Sequence, residues 1–464
     1  MTAHQNQSIE DELTGTPENV TVGPRFVAKV KKAIKKEKIH KLRELVLPLH
    51  SADLADLIEQ LSIPKREELA RLVGAELDPQ VFSELEENAR DQVIEQMDTA
   101  DVAQALSQME MDDAINVLED LSEDSQRKIL DEMPAVQRSS VEEGLSYPED
   151  SAGRLLQRGL IAVPGMWTVG QVIDYLRDER DLPDEFYEIY VVDPKYHPVG
   201  TISLSRLLRT SRPTTVRDIM DDNQKVVPAH MDQEEVAHLF RQYDLPSVGV
   251  VDDNSRLIGM ITIDDVVDVI DEEAEEDILR LAGVQDSDLA ETVFEASRKR
   301  LTWLMVNLAT ACLAAFVISV FDATIQEMVA LAILMPIVAN LGGNAGTQTM
   351  TIAVRALATK ELTASNAPRL VSRELAISLL NGVILAIVIG LAAGIWFHNM
   401  PLGGVLSLAL IMNMVCAGLS GILIPITLDK LKIDPAIASS VFLTTITDVV
   451  GFFAFLGLGT MLLL

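Results

Sequence analysis

A chain of 464 residues with 70 acidic and 38 basic side chains, net charge −32, is longer than one ordinary domain. Residues 298–464 hold seven acids and nine bases, which leaves 63 and 29 for residues 1–297, so the two parts suit different solvents. The acidic part repels phosphates, which excludes a nucleic-acid partner and favours cations; acidity that serves only solubility is the plainer alternative.

The opening residues, MTAHQNQSIEDELTG, lack an apolar core. They predict a disordered tail over residues 1–26 and no signal peptide. Residues 27–150 read as an all-helical cytosolic domain. SADLADLIEQL, DTADVAQALSQM and MDDAINVLEDL each set apolar residues at helical spacing behind an Asp placed to cap a turn. Short hairpins of this kind stack into a superhelix. KVKKAIKKEK is expected as a solvated helix face, and the methionines of this stretch as core fillers.

Residues 151–282 contain an internal repeat. IYVVDPKYHPVGTIS (Ile189–Ser203) aligns with VGVVDDNSRLIGMIT (Val248–Thr262) at an offset of 59, matching Asp193 with Asp252, Gly200 with Gly259 and Ser203 with Thr262. Each copy predicts strand, turn, strand, flanked by amphipathic helices. The G-x-[IV]-[ST] strand in both copies resembles a tandem cystathionine-β-synthase (CBS) pair, an α/β module that senses small ligands or ions. In nucleotide-binding copies an Asp after that strand holds ribose. Here Arg206 and Asp265 occupy that place, which leaves an adenine nucleotide as an open partner.

The stretch that follows carries nine carboxylates between Asp264 and Asp277. At 3.6 residues per turn several crowd one another, which destabilises a helix unless cations neutralise them. The plainer alternative is a solvated acidic helix. Residues 283–297 are expected as a connecting helix leading into the membrane.

Residues 298–464 predict an α-helical transmembrane domain with five spans, near Leu301–Phe321, Met328–Val354, Leu375–Phe397, Leu402–Leu428 and Ala436–Leu464. Basic residues precede the first span (Arg298, Lys299, Arg300), separate the second from the third (Arg355, Lys360, Arg369, Arg373) and the fourth from the fifth (Lys430, Lys432). The positive-inside rule then puts the N-terminus in the cytoplasm and the C-terminus outside a cytoplasmic (inner) membrane. Cys312 and Cys416 lie in apolar spans and read as small core residues.

Two features inside the spans need chemistry. The second span holds MPIVANLGGNAGTQTM, where Pro336 and three glycines weaken the helix and Asn344, Thr347, Gln348, Thr349 and Thr351 bring polar groups. Loosened backbone survives in lipid only where it is buried or lines water. Close packing through the Gly342/Gly346 GxxxG pair is the alternative. The fifth span holds Asp448, its sole charge, near Thr444, Thr445 and Thr447. An ionisable group at that depth costs about 2.5–3.5 kcal/mol and marks a functional site unless Arg355 or Arg373 reaches it. A lone carboxylate among amides, hydroxyls and carbonyls is a hard-ligand set, suited to Mg²⁺ or Ca²⁺, and Mg²⁺ keeps its waters.

GGNAGTQT in the second span, TDVVG in the fifth and the order of domains together resemble the MgtE family of magnesium channels. The resemblance implies a homodimer with one pore on its two-fold axis. It implies that Asp448 binds hydrated Mg²⁺, that Gly343, Asn344, Thr347 and Thr351 line the inner half of the pore, and that Thr444 offers a carbonyl. Thr347 stands where the family often has Asn, which loosens the expected constriction. Asp265, Asp268, Glu276 and Asp277 correspond to regulatory ligands. The expected mechanism is negative feedback, in which cytosolic Mg²⁺ bridges the acids and shuts the pore. A secondary transporter coupled to Na⁺ or H⁺ is the alternative. A membrane enzyme is disfavoured, since HExxH, GxSxG, CxxC and P-loop patterns are absent from the sequence and the seven His form no cluster.

Overall fold

The computed structural model describes residues 22–180, 182–183, 186–281, 293–362 and 366–464. Residues 1–21 of the expected tail and residues 283–292 of the expected connecting helix lie outside the described residues. The chain forms two compact units, divided between Glu272 and Glu273.

The first unit begins with helices α1 (Pro24–Lys35), α2 (Ile39–Val46), α3 (Ser51–Glu59), α4 (Ile63–Val73), α5 (Glu87–Ile94), α6 (Thr99–Leu106), α7 (Met111–Glu119), α8 (Glu123–Glu132) and α9 (Ala135–Leu145). None reaches four full turns, so each is held by the apolar stripe it buries rather than by its own propensity. α1 starts inside the stretch expected to be disordered, because Val22 and Phe26 bury against Val30 and Ile34 and Pro24 suits a first helical position. Lys29, Lys32, Lys35 and Lys36 form its exposed face. Met133 is buried, and Met97, Met109 and Met111 pack against the same core.

Capping differs from the sequence reading. His50, rather than an Asp, caps α3, its Nδ1 accepting from the Ala52 amide at 3.3 Å. Asp98 and Glu110 occupy the cap positions of α6 and α7 without a side-chain cap bond. Buried arginines join successive hairpins instead. Arg66 donates to the Ile58 and Glu59 carbonyls at 2.9 and 2.8 Å and to Gln92 Oε1 at 3.0 Å. Those carbonyls end α3, where no further helical turn answers them; that of Ile58 also accepts from the Leu61 amide at 3.0 Å.

The repeat region folds as two three-stranded sheets of one topology. β1 (Ala162–Pro164) runs parallel to β2 (Glu188–Val192), which pairs antiparallel with β3 (Pro198–Ser203). β4 (Val226–Pro228), β5 (Ser247–Val251) and β6 (Leu257–Thr262) repeat that order. Helix α10 (Val169–Asp178) precedes β2 and α11 (Leu204–Arg209) follows β3; α12 (Gln233–Tyr243) precedes β5 and α13 (Ile263–Leu281) follows β6. The matched residues have matched jobs. Asp193 Oδ1 accepts from the Lys195 and His197 amides, and Asp252 Oδ1 from those of Asn254 and Arg256, all at 2.8 Å. A Cβ at Gly200 would lie 2.8 Å from the Asp221 carbonyl, and one at Gly259 2.6 Å from that of Gln157, so only glycine fits.

The second unit holds α14 (Val293–Val320), the short α15 (Asp322–Glu327), α16 (Val329–Ala358), α17 (Ala367–Trp396), α18 (Met400–Lys430) and α19 (Pro435–Leu462). Five of these six are long and apolar enough to cross a membrane. α18 is central and packs on α16, α17 and α19, while α14 rests on α19. The α17–α18 seam is lined by small residues, among them Gly382, Ala386, Gly390 and Gly403, which lets the backbones close together. Cys312 departs from its expected place in the core: it is exposed on α14, which the rest of the chain barely covers, whereas Cys416 is half-buried.

Candidate functional site

The polar stretch of the second span is an unbroken helix with two faces, which corrects the expectation of loosened backbone. The Pro336 gap and the glycines are absorbed by packing. One face carries Val338, Gly342, Gly346, Thr349 and Met350, all buried. A Cβ at Gly346 would lie 2.7 Å from Leu443 Cδ1, and one at Gly421 on α18 would lie 2.6 Å from the Gly346 carbonyl. The other face carries Asn340, Asn344, Thr347 and Thr351, all exposed, with Gly343 opening onto space that holds no atom within 4 Å of a Cβ. Packing and polarity are therefore two sides of one helix, not competing accounts.

On the polar face the donors are turned inward. Thr347 Oγ1 donates to the Gly343 carbonyl and Thr351 Oγ1 to that of Thr347, both at 2.9 Å. Asn344 Nδ2 donates to Asn340 Oδ1 at 3.0 Å. With their hydrogens used within the helix, the hydroxyls present lone pairs outward, the polarity a hydrated cation needs. Asn340 was missed in the sequence; its place one turn before Asn344 was the available signal.

On α19, Asp448 is half-buried and has no hydrogen bond or ion pair among the described residues. Arg355 and Arg373 are exposed and do not pair with it. Thr444 Oγ1 donates to the Ser440 carbonyl at 2.8 Å, and the Thr444 carbonyl accepts from Thr447 Oγ1 at 3.0 Å. Between the two helices lies a residue that sequence reading passed over. Asn413 of α18 is 0% exposed, and its Nδ2 donates to the Val338 carbonyl at 2.9 Å. A lone amide in LALIMNMVCAG was the only signal.

The acids outside the spans form separate groups. In the first unit Asp265 Oδ2 accepts from Thr262 Oγ1 at 2.7 Å and from Gln157 Nε2 at 2.9 Å. The same Gln157 amide lies 3.3 Å from Asp112 Oδ2 on α7. Glu110, Asp112 and Asp265 each offer an oxygen within 4.8 Å of the others. Burial, then the Asp265 charge, pushes the Asp112 carboxyl well up, and burial pushes Asp265 up to about 6 despite the Thr262 hydrogen bond. Crowded, partly dehydrated carboxylates with an oxygen left unpaired, Asp112 Oδ1, are a hard-cation ligand set. Glu110 and Asp112 had been read only as parts of a helix, since nothing local links residue 112 to residue 265.

The remaining sensor candidates fall elsewhere. Asp268 is exposed; burial and then the Asp268 charge raise the Glu84 carboxyl, and burial raises Asp113, with the charges of Glu84 and Asp268 adding to it. In the second unit burial and the charges of Asp434 and Glu273 push Asp277 up to about 6. Arg280, one turn along α13, pairs with Glu276 and with Asp434. The (i, i+4) spacing could have foretold that pair. Of the four acids expected as regulatory ligands, Asp265 and Asp268 belong to the first unit and Glu276 and Asp277 to the second.

Three family models match the chain: the divalent cation transporter MgtE over residues 335–458, the MgtE intracellular N domain over 49–150 and the CBS domain over 216–272. The magnesium transporter MgtE of Enterococcus faecalis is 37% identical over 433 residues, covering 92% of this chain and 95% of its own. That of Thermus thermophilus is 34% identical over 332 residues, covering 70% and 73%. Among solved structures, the cytosolic domain of the Mg²⁺ channel MgtE in complex with ATP is 29% identical, with TM-score 0.49, covering 52% of this chain and 99% of that one.

Proposed function

The chain belongs to the MgtE family of magnesium transporters, and from that premise we propose that it is a homodimeric Mg²⁺ channel closed by cytosolic Mg²⁺. The observation that carries this reading is Asp448, a carboxylate within a span with no partner among the described residues. An unpaired acid at that depth is tolerable where it meets water and cations. The ion keeps its waters and is held through them by Asp448, with Asn344, Thr347 and Thr351 offering outward oxygens along α16, Gly343 leaving room beside them, and Thr444 a carbonyl. A polar helix face left exposed in one copy is costly against lipid, which supports a second copy across the path.

Regulation follows from the acids. Mg²⁺ bound by Glu110, Asp112 and Asp265 relieves their repulsion and ties α7 to the CBS module, with Asp268 adding to the local negative field, while in the second unit Glu276 and Asp277 are the further regulatory acids. Loss of the ion restores the repulsion and favours the open state, a population shift set by differential affinity. The N-terminus is cytoplasmic, by the loop charges. Asp265, at the place that holds ribose in nucleotide-binding copies, is here held through Oδ2 by Thr262 and Gln157, and an adenine nucleotide stays an open partner of the CBS module.

The test is Mg²⁺ flux in proteoliposomes. Asp448→Asn should reduce uptake to background in protein that purifies normally, and wild-type currents should reverse at the Mg²⁺ equilibrium potential. Normal uptake by the variant, or wild-type uptake that requires a Na⁺ or H⁺ gradient, overturns the reading.

A further inference from the structure

Asn413 is a buried amide in a membrane span, costly to bury without partners. Its Nδ2 is answered by the Val338 carbonyl, but its Oδ1 has no hydrogen-bond partner among the described residues. The amide lies between two glycines on different helices. A Cβ at Gly342 of α16 would fall on Asn413 Nδ2, and one at Gly451 of α19 would lie 2.7 Å from Nδ2 and 3.3 Å from Oδ1. The side chain of α18 thus fills the space against both glycine backbones, one on α16 and one on α19. Gly342 directly precedes Gly343, and Gly451 lies three residues, about one turn, after Asp448. The wedge therefore sits at the level where the polar face of α16 and the carboxylate of α19 must cooperate.

We infer that Asn413 is a positioning residue for the ion path. Held on the Val338 carbonyl and gripped by Gly342 and Gly451, it sets the separation and rotation of α16 and α19, and with them the fit to Mg²⁺ in its water shell. This rests on the ion-path reading of Asp448 given above. A residue serving only as interhelical glue would lower the amount of folded protein and leave the affinity of the folded fraction alone.

The experiment uses full-length protein in proteoliposomes, with Mg²⁺ as the transported ion and cobalt(III) hexaammine, an inert analogue of the hydrated ion, as blocker. Asn413→Leu should raise the half-saturating Mg²⁺ concentration about tenfold, equivalent to about 1.4 kcal/mol, and weaken block in step, with the maximal rate per folded molecule little changed. Gly342→Ala should do the same by displacing the amide. Asn413→Ala combined with Gly342→Ala should recover much of the lost affinity, because the new methyl then has room. Unchanged half-saturation and block in Asn413→Leu overturns the inference. If that variant does not fold, the glycine pair decides, and a double variant no better than Gly342→Ala overturns it. Asp448→Asn runs in parallel: normal flux there defeats the ion-path reading itself, while dead flux there with unaltered Asn413 variants defeats only the present inference.

Discussion

Asp112 and Asp448 are both carboxylates withdrawn from bulk water, and they differ in what surrounds them. Asp448 stood out in the sequence because it is the sole charge of an apolar span. Asp112 did not, because an acid on a surface-patterned helix gives no sign that α7 will bury it beside residue 265. Their neighbourhoods have a measurable consequence. Burial pushes Asp265 up to about 6 and raises Asp112 as well, so both bind protons more readily when packed than when exposed. The cation-free packing of α7 on the CBS module is accordingly strongest below the ordinary Asp value of 3.8 and is lost as pH rises from there through about 6. Mg²⁺ must displace those protons. Calorimetric heats of Mg²⁺ binding to the full-length protein near pH 6 should therefore vary with the ionisation enthalpy of the buffer. Asp112→Asn should reduce the proton release near pH 6; buffer-independent heats there would contradict the assignment.

At the scale of elements, α16 shows why composition alone misled. Glycines and a proline were expected to loosen the span, yet the helix runs unbroken through both, since neighbours approach closely enough to repay what the backbone loses. The α17–α18 seam works in the same way and sets a test of packing. Ser407 Oγ donates to the Ala386 and Gly403 carbonyls at 2.8 and 2.9 Å, and a Cβ at Gly390 would run into it. Gly390→Val should cost about 1–3 kcal/mol, the usual penalty of overpacking, and lower the thermal midpoint in detergent. Gly404→Ala, where no atom lies within 4 Å of the added methyl, should be neutral or slightly stabilising. Equal midpoints for the two variants would mean that the seam is looser than described.

For the whole molecule, the division of charge and hydropathy has its counterpart in two units, one acidic and one dominated by long apolar helices. The proposed dimer places the exposed face of α16 opposite its copy. In protein with Cys312 and Cys416 replaced by Ser, Thr351→Cys should cross-link to a dimer with a short bis-maleimide, whereas Leu380→Cys, on an exposed apolar face of α17, should not. A monomer band from Thr351→Cys under those conditions would count against a second copy across the path.

Patterns carried by near neighbours were legible from residue order: five spans by hydropathy, a tandem module by its offset of 59, an isolated acid by the apolar run around it. Each depends on residues a few positions apart, where covalent spacing already dictates which side chains share a face. Contacts between distant segments were decided only when the chain folded. Asp112 meeting Gln157 and Asp265, and Asn413 entering the gap between Gly342 and Gly451, depend on how helices pack. That packing is selected by the summed burial of many side chains, so no single stretch of sequence encodes it.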